Sequence, residues 1–314
     1  LPLSLSKPRI EDFMPLIQRI AKRLECCSTL LSTGDKLTLI KSVFTSMPTF
    51  VMSTLALPAA VIQQINTYLK NCFWRKYGSQ DSGVALIAWE QISKPKKQGG
   101  LGVLSIEAHN KALLMKFLFK FLNKHDLPWV HMIWETHYSH SLPGTRMVGS
   151  FWWKAILRLL PCFKQWIICQ AGVGNTILFW SDGWWNQGLC NQSPELYSFA
   201  INKDITLSKV MSTPDISNLF HRPLSIQAHQ QFITLQQHLQ QRAAVDTRDC
   251  WKLTANNSAY DSMKMYRHIM DKGSAHSIFM ALWSTTCRLR HKIFFWLLLH
   301  DRNNTRNMLQ RRLM

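Results

Sequence analysis

The sequence has few acidic residues. It carries 18 Asp and Glu against 37 Lys and Arg in 314 residues, for a formal net charge of +19 at pH 7. No two Asp are adjacent, so no carboxylate cluster is visible that could hold the Mg²⁺ ions of phosphoryl transfer. Asp246 and Asp249 come nearest, and their place beside a predicted domain boundary indicates a solvated turn. A net charge of this size favours a polyanionic partner.

Long apolar runs are also missing. The longest run has seven residues, 293–299, whereas a membrane-spanning helix needs about 20. We therefore predict a buried helix there and no membrane partner. Because the chain opens on Leu1 with neither a basic leader nor a cleavage motif, we expect it to be a fragment.

The spacings typical of metal sites and nucleophilic triads are absent from the sequence. It contains eight Cys but no Cys-x2-Cys pair, and His137 and His140 have no thiol nearby. It also lacks a Gly-x-Ser-x-Gly motif. We therefore predict reduced thiols, no metal ligands and no acyl-transfer site in this chain.

What is present indicates a folded, mainly α protein, with 46% hydrophobic residues. Apolar periodicity predicts a helix over 13–24 with Asp12 as its N-cap, and another after Asp35 that ends at Pro48. A third helix follows over 59–73. These elements predict an amino-terminal helical bundle.

The positive charge lies in two blocks. Residues 61–125 carry a net +7 and residues 251–314 a net +8, whereas the Trp-rich stretch 126–200 is neutral. This composition predicts three domains, at 1–125, 126–245 and 246–314.

A long helix capped by Ser105 is predicted to reach residue 123, after a tight turn at 99–102. Lys116, Lys120 and Lys124 share one stripe of this helix. Like charges at i and i+4 cost about 0.2–0.5 kcal/mol per pair, which an anionic partner would relieve. A solvated basic face is the alternative interpretation.

The middle and the carboxy-terminal parts show weaker patterns. Strands at 167–171 and 176–180 flank Gly172-Val173-Gly174-Asn175, which favours a β-hairpin over a nucleotide loop. Seven Gln in 227–241 indicate a polar connecting helix. Three more helices are predicted at 258–270, 278–300 and 305–313.

Basic residues near aromatic ones form the remaining functional signal, because nucleic-acid surfaces combine the two. For Phe294 and Trp296, however, we predict packing in the core. The basic residues are Lys94, Lys96 and Lys97 after Trp89, then Arg288, Arg290 and Lys292, and then Arg302, Arg306, Arg311 and Arg312.

These residues resemble the region downstream of the polymerase palm in plant LINE-type (non-LTR) retrotransposon reverse transcriptases. The resemblance continues into the zinc-binding region of those proteins and covers nearly the whole chain. The motifs that carry it are Leu37-Thr38-Leu39-Ile40-Lys41-Ser42-Val43, Ser46-Met47-Pro48, Phe73-Trp74, Gly99-Gly100-Leu101-Gly102, Asn110-Lys111-Ala112-Leu113-Leu114, Phe151-Trp152-Trp153, Phe179-Trp180-x-Asp182-x-Trp184 and Phe294-Phe295-Trp296-Leu297.

The resemblance implies a thumb-like helical domain to about residue 125, and from 246 the first part of a truncated zinc-binding domain. The catalytic aromatic-x-Asp-Asp motif of the family would lie before Leu1, and its Cys/His zinc cluster would follow Arg312. The Mg²⁺ and Zn²⁺ sites thus fall outside this chain, and we expect no cofactor and no polymerase activity from it. One departure is Gly34-Asp35, where the family usually has Gly-Arg.

Our leading hypothesis is a non-catalytic fragment of a retrotransposon reverse transcriptase that binds the RNA or DNA backbone. The missing palm would be its intramolecular partner, and we expect a nuclear location. The alternative is a domesticated or decayed product that acts as a protein-interaction scaffold through the Gln-rich helix and exposed Trp residues. The candidate phosphate contacts are Lys36, Lys41, Lys94, Lys96, Lys97, Lys116, Lys120 and Lys124.

Overall fold

The prediction of a mainly α protein is confirmed by a computed structural model of the chain. The structure describes residues 6–27, 31–75, 84–138, 142–143, 146–185, 188–241, 247–254, 259–271 and 273–303. In chain order the α-helices are α1 (Met14–Cys27), α2 (Thr33–Leu39), α3 (Thr49–Met52), α4 (Ala59–Trp74), α5 (Trp89–Ser93), α6 (Ile106–Leu122), α7 (Pro128–His137), α8 (Phe151–Leu157), α9 (Leu160–Lys164), α10 (Leu189–Gln192), α11 (Pro194–Ser198), α12 (Leu207–Met211), α13 (Ile226–Gln241), α14 (Ser262–Met270), α15 (Ser277–Ser284) and α16 (Leu289–Leu299). Short 3-10 helices span Ile10–Phe13, Lys96–Gln98 and Ile216–Leu219, a π-helix spans Ile40–Phe44, and the strands are β1 (Ile167–Gln170) and β2 (Cys250–Leu253).

The chain forms two compact units. Unit 1 comprises Leu1–Leu114 together with Ser262–Met314, and unit 2 comprises Met115–Asp261. The carboxy-terminal segment therefore joins the amino-terminal block. The three-domain assignment with boundaries at 125 and 245 stays a prediction.

The core of unit 1 draws on both of its segments. Ile293 and Trp296 of α16 are buried in one apolar cluster with residues of α1 and α4, and α16 packs against α2. The predicted burial of Trp296 is confirmed, but that of Phe294 is wrong, because this side chain is 55% exposed. The reason is that one face of α16 covers the core and Phe294 lies on the other.

Two predicted helix caps are wrong. Asp12 lies inside the 3-10 turn that precedes α1, where its carboxylate accepts the backbone N–H of Arg9 at 2.7 Å. The N-cap of α2 is Ser32, and its side chain accepts the N–H of Asp35 at 3.3 Å. Both Asp residues thus lie in a first turn, where a negative charge also complements the helix dipole.

The Gly-rich turn at 99–102 closes against the carboxy-terminal helices. Gly99 has φ +79°, and a Cβ there would lie 2.7 Å from the ring of Phe279. Its carbonyl accepts a hydrogen bond from the indole of Trp296 at 2.8 Å. Only glycine satisfies both the left-handed backbone and the close approach.

The β-hairpin predicted in unit 2 is wrong. β1 pairs antiparallel with β2, with Ile167 opposite Leu253. The segment after β1 instead wraps around Asp249, whose carboxylate accepts the N–H groups of Gly172, Gly174 and Thr176. These amides cannot also form a ladder, and Asp249 is therefore not the solvated turn residue we expected. Asp246 lies outside the described residues.

Aromatic packing dominates unit 2. Phe121 stacks on Trp134, with ring centroids 4.7 Å apart and an angle of 11°, and it also contacts Trp153 at 4.5 Å. The indole of Trp153 donates to the hydroxyl of Tyr138 at 3.2 Å. All 13 Trp residues are buried or partly buried, so the expected docking surface of exposed Trp is wrong.

The remaining helix predictions have mixed outcomes. The Gln-rich helix is present as α13, which buries Ala228, Leu235 and Leu239. The helix predicted over 278–300 is instead two helices, α15 and α16, which are separated at residues 285–288. The break follows the polar run Ser284-Thr285-Thr286, which interrupts the apolar pattern and which the prediction of one helix passed over. The helix predicted over 305–313 lies outside the described residues.

Candidate nucleic-acid interface

The two basic blocks of the sequence are largely brought into one unit. Unit 1 contains 24 Lys and Arg against 9 Asp and Glu, for a net charge of +15. Unit 2 contains 13 against 9, for a net +4. Most of the charge excess therefore belongs to unit 1, although the blocks 61–125 and 251–314 are separated by 125 residues of sequence.

A short loop presents three of the candidate lysines of unit 1. Pro95 starts the 3-10 turn Lys96–Gln98, and Gly99 ends it in the left-handed conformation. α15 packs against this turn. Lys94, Lys96 and Lys97 are all exposed, so three lysines within four positions lie on a loop that is fixed at both ends.

The ammonium group of Lys97 is already paired. It lies 2.5 Å from a carboxylate oxygen of Asp271, and the backbone carbonyl of Lys97 accepts the N–H of His276 at 2.9 Å. These contacts tie the loop to the segment between α14 and α15. The side chain of Lys97 thus pairs with an acidic residue 174 positions later, a contact that its position in the sequence does not indicate.

Lys96 and Lys41 lie close together. The Lys96 ammonium lies 4.8 Å from the centroid of the Trp283 ring, and that of Lys41 donates to the carbonyl of Leu101. Burial lowers the pKa of Lys41 to about 8, and the positive charge of Lys96 makes a smaller contribution in the same direction. The structure thus joins two candidates that are 55 positions apart in the sequence.

Lys36 has a different environment from the other candidates. Its side chain is 2% exposed, and its ammonium donates to the carbonyl of Arg75 at 2.6 Å. Burial lowers its pKa, and the charge of Arg75 adds to this effect while Cys72 opposes it. Its place directly before the buried Leu37 does not indicate this burial, because neighbouring positions of a helix point about 100° apart.

Lys94 borders a groove of about 510 Å³ in unit 1 that also has acidic walls. Glu90 and Glu107 line it together with Lys94 and Lys111, and Glu107 pairs with Lys111 at 2.6 Å. The groove is therefore of mixed charge, and only Lys94 among the candidates contributes to it.

The other three candidates belong to unit 2. Lys116 lies over the Phe117 ring at 4.9 Å and Lys124 over the Trp134 ring at 4.5 Å. Burial and the nearby Lys120 charge lower the pKa of Lys116. The predicted stripe is only partly present: Lys116 and Lys120 lie on α6, in which Leu114, Leu118 and Phe121 are buried, but Lys124 lies beyond the end of the helix with φ +45°.

Further basic residues lie on the carboxy-terminal helices of unit 1. Arg288 and Arg290 are exposed, whereas Lys292 donates to the carbonyl of Thr285 at 2.6 Å. Arg306, Arg311 and Arg312 lie outside the described residues. The sequence groups these cations, but it does not show which of them donate hydrogen bonds to the protein's own backbone.

Within the described part of the chain, no group of three or more His, Cys, Asp or Glu is placed to hold a metal ion. The side chains present there therefore do not fit the Mg²⁺ or Zn²⁺ centres of the resembled family. None of the helices in the described ranges is both long enough and apolar enough to cross a bilayer.

Parts of the chain are similar to two plant proteins. Over 191 residues it is 25% identical to a putative ribonuclease H protein of Arabidopsis thaliana, a match that covers 59% of this chain and 31% of that protein. Over 143 residues it is 22% identical to an uncharacterized mitochondrial protein of Arabidopsis thaliana, covering 44% of this chain and 92% of the relative. No protein-family model matches the chain. These distant similarities support a retrotransposon-related origin.

Proposed function

We propose that the chain is the non-catalytic, nucleic-acid-binding portion of a plant non-LTR retrotransposon reverse transcriptase. The observation that carries this proposal is the net charge of +15 on unit 1. Such a charge attracts a sugar-phosphate backbone and releases its condensed counterions. The retrotransposon-related origin and the resemblance of the motifs agree with a nucleic-acid partner.

The candidate lysines fall into two groups, according to whether the ammonium group is available to contact a phosphate. Lys94 and Lys96 are exposed and absent from the ion pairs found among the described residues. Lys36 and Lys97 are held by Arg75 and Asp271, and we assign them a structural role. The proposed phosphate contacts are Lys41, Lys94 and Lys96 in unit 1 and Lys116, Lys120 and Lys124 in unit 2.

Contacts of this kind position a duplex without reading its bases. We therefore expect binding that is largely independent of sequence. Log K should fall linearly with log salt by about 0.9 for each phosphate neutralised, so six contacts lose about 10³-fold in affinity between 50 and 200 mM salt.

The test is fluorescence anisotropy with a labelled RNA–DNA hybrid at several salt concentrations. A triple variant, K41Q/K94Q/K96Q, should lower the salt slope by about 2 to 3. The matched control K7Q/K22Q/K70Q removes the same charge from other positions of unit 1 and should lower it less. A flat salt response of the wild type, or no binding at low salt, would contradict the proposal.

In this proposal the polymerase palm is an intramolecular partner, the location is nuclear, and the metal-dependent chemistry belongs to other parts of the polymerase. We therefore expect no primer extension by this chain with Mg²⁺. Extension above the level of a mock purification would show a polymerase centre and overturn the assignment.

A protein-interaction scaffold is the second candidate, and one observation favours it. Phe294 and Phe295 on α16 are 55% and 50% exposed, which is unusual for adjacent large aromatic side chains. Pull-down from nuclear extract before and after nuclease treatment separates the candidates. A scaffold keeps its partners after nuclease, whereas a nucleic-acid binder loses them.

A further inference from the structure

The side chains of Lys41 and Lys96 converge over Gly102. A Cβ at Gly102 would lie 3.6 Å from Cγ of Lys96 and 3.7 Å from Nζ of Lys41. Gly102 is exposed and has φ +66°. Because Gly102 has no side chain, the space between the two lysines is open to solvent and ligands.

Each lysine is fixed by one contact that leaves part of its ammonium group available. Lys41 donates to the carbonyl of Leu101, which uses one of the three N–H donors of the ammonium. Lys96 lies over Trp283, and a cation–π contact of this kind leaves the other side of the cation open. Because both side chains are held, little conformational entropy remains to be lost when a ligand binds.

The pair carries uncompensated positive charge. The ion pairs found in the described ranges involve neither Lys41 nor Lys96. The charged group that acts on Lys41 is Lys96, and it lowers the pKa of Lys41 in the same direction as burial does. Two like charges at a partly desolvated position repel each other. An anion between them attracts both, so that its binding there is favourable.

We propose that Lys41 and Lys96 form a clamp over Gly102 that binds a single phosphate group of the nucleic-acid backbone. This inference rests on the proposed function and deepens it, because it assigns one phosphate to two named lysines. The other candidate lysines then bind separate phosphates.

The clamp makes nucleic-acid binding depend on pH. With a pKa of about 8, Lys41 is largely charged at pH 7 and largely neutral at pH 9 in the free protein. A bound phosphate favours the charged form, so its affinity falls as pH rises through this range.

A double-mutant cycle on the full chain tests the sharing of one phosphate. In the anisotropy assay at pH 7, K41Q and K96Q should each lower the salt slope by about 1. The double variant should lower it by hardly more than either single variant, and K22Q, on α1 of the same unit, should change it less. Additive losses, or single variants that match the wild type, would overturn the clamp. Circular dichroism verifies that each variant is folded.

A second arm separates the clamp from the proposed function. The pKa of Lys41 is measured by NMR of its ¹³Cε with inorganic phosphate and with chloride at equal ionic strength. Phosphate should raise this pKa in the wild type and not in K96Q. An unchanged pKa refutes the clamp even when nucleic acid binds. A raised pKa without nucleic-acid binding leaves the anion site standing and refutes the proposed function.

Discussion

Thr176 donates both its backbone N–H, at 2.9 Å, and its hydroxyl, at 2.7 Å, to one carboxylate oxygen of Asp249. The other oxygen accepts the N–H groups of Gly172 at 2.9 Å and Gly174 at 2.8 Å. One side chain thus satisfies four donors of a loop 73 to 77 positions earlier in the chain. It also fixes the start of β2 beside β1.

We expect Asp249→Asn to destabilise unit 2, because an amide has one acceptor oxygen where the carboxylate has two. The loss should be about 2–4 kcal/mol, since charged hydrogen bonds contribute more than neutral ones and two donors lose their acceptor. Hydrogen–deuterium exchange at the Thr176 amide measures the effect locally. The control Asp204→Asn changes an exposed side chain and should leave this amide protected. Equal protection in both variants would contradict the assigned role.

The buried ion pair between Lys164 and Asp182 yields a pH-dependent prediction. Asp182 is 2% exposed, and its carboxylate also accepts the N–H of Leu178 at 2.7 Å. Burial raises the pKa of Asp182, while the charge of Lys164 opposes that rise. Lys164→Met removes the opposing charge, so the pKa of Asp182 should rise further.

An Asp with a raised pKa stabilises the folded state on the acid side and loses that contribution as pH rises through the folded pKa. Lys164→Met should therefore cost about 3–5 kcal/mol at neutral pH and less toward pH 5. Thermal unfolding across this range measures the change. Asp182→Asn in the Lys164→Met background should remove the pH dependence. A deficit that is constant with pH would show that packing, not charge, is responsible.

The pKa of Lys41 should make stability change with pH in the opposite direction to that of Asp182. The pKa of about 8 that Lys41 has in the folded protein lies below the ordinary lysine value of 10.5, so the unfolded state binds more protons between these pH values. Stability therefore rises with pH in this window, by at most about 3 kcal/mol. Lys41→Met should abolish the rise, and Lys22→Met, at an exposed site, should retain it. The difference in urea midpoint between variants from pH 7 to pH 10 is the measurement.

Asn110 joins α6 to the segment before α4. It is 5% exposed, its amide donates to the carbonyls of Met52 at 2.8 Å and Leu55 at 2.9 Å, and its oxygen accepts the N–H of Leu57 at 2.9 Å. Asn110→Ala leaves three buried backbone groups without partners and should cost about 2–4 kcal/mol.

Thermal unfolding followed by circular dichroism, with exchange at the Leu57 amide, measures the Asn110→Ala loss. The comparison variant Gln63→Ala lies at an exposed position of α4 and should stay within about 0.5 kcal/mol of the wild type. If the Leu57 amide exchanges no faster in Asn110→Ala than in Gln63→Ala, the bridging role is wrong.

Local patterns predicted the elements whose signals are local. The helix predicted over 59–73 is α4, and Ser105 caps α6 as expected, with the N–H of Ala108 at 3.4 Å from its hydroxyl. The strand partner of β1 could not be predicted in this way, because it lies some 80 positions away and is selected by the Asp249 contacts.

The site shows the same division. Counting charges found the lysines, but it could not show that Lys36 is buried, that Asp271 neutralises Lys97, or that Lys41 meets Lys96. Each of these relationships depends on tertiary packing between distant segments. For that reason neither periodicity nor composition could predict them.

Trp296 has a consequence for the order in which the chain folds during synthesis. The apolar cluster that it completes begins with Phe13, so the first helices leave the ribosome long before their last packing partner exists. All of Met115–Asp261 is made in between, and domains generally fold as units while synthesis continues. The middle of this polypeptide can therefore reach its native state before α16 is synthesised and completes the core around the first helices.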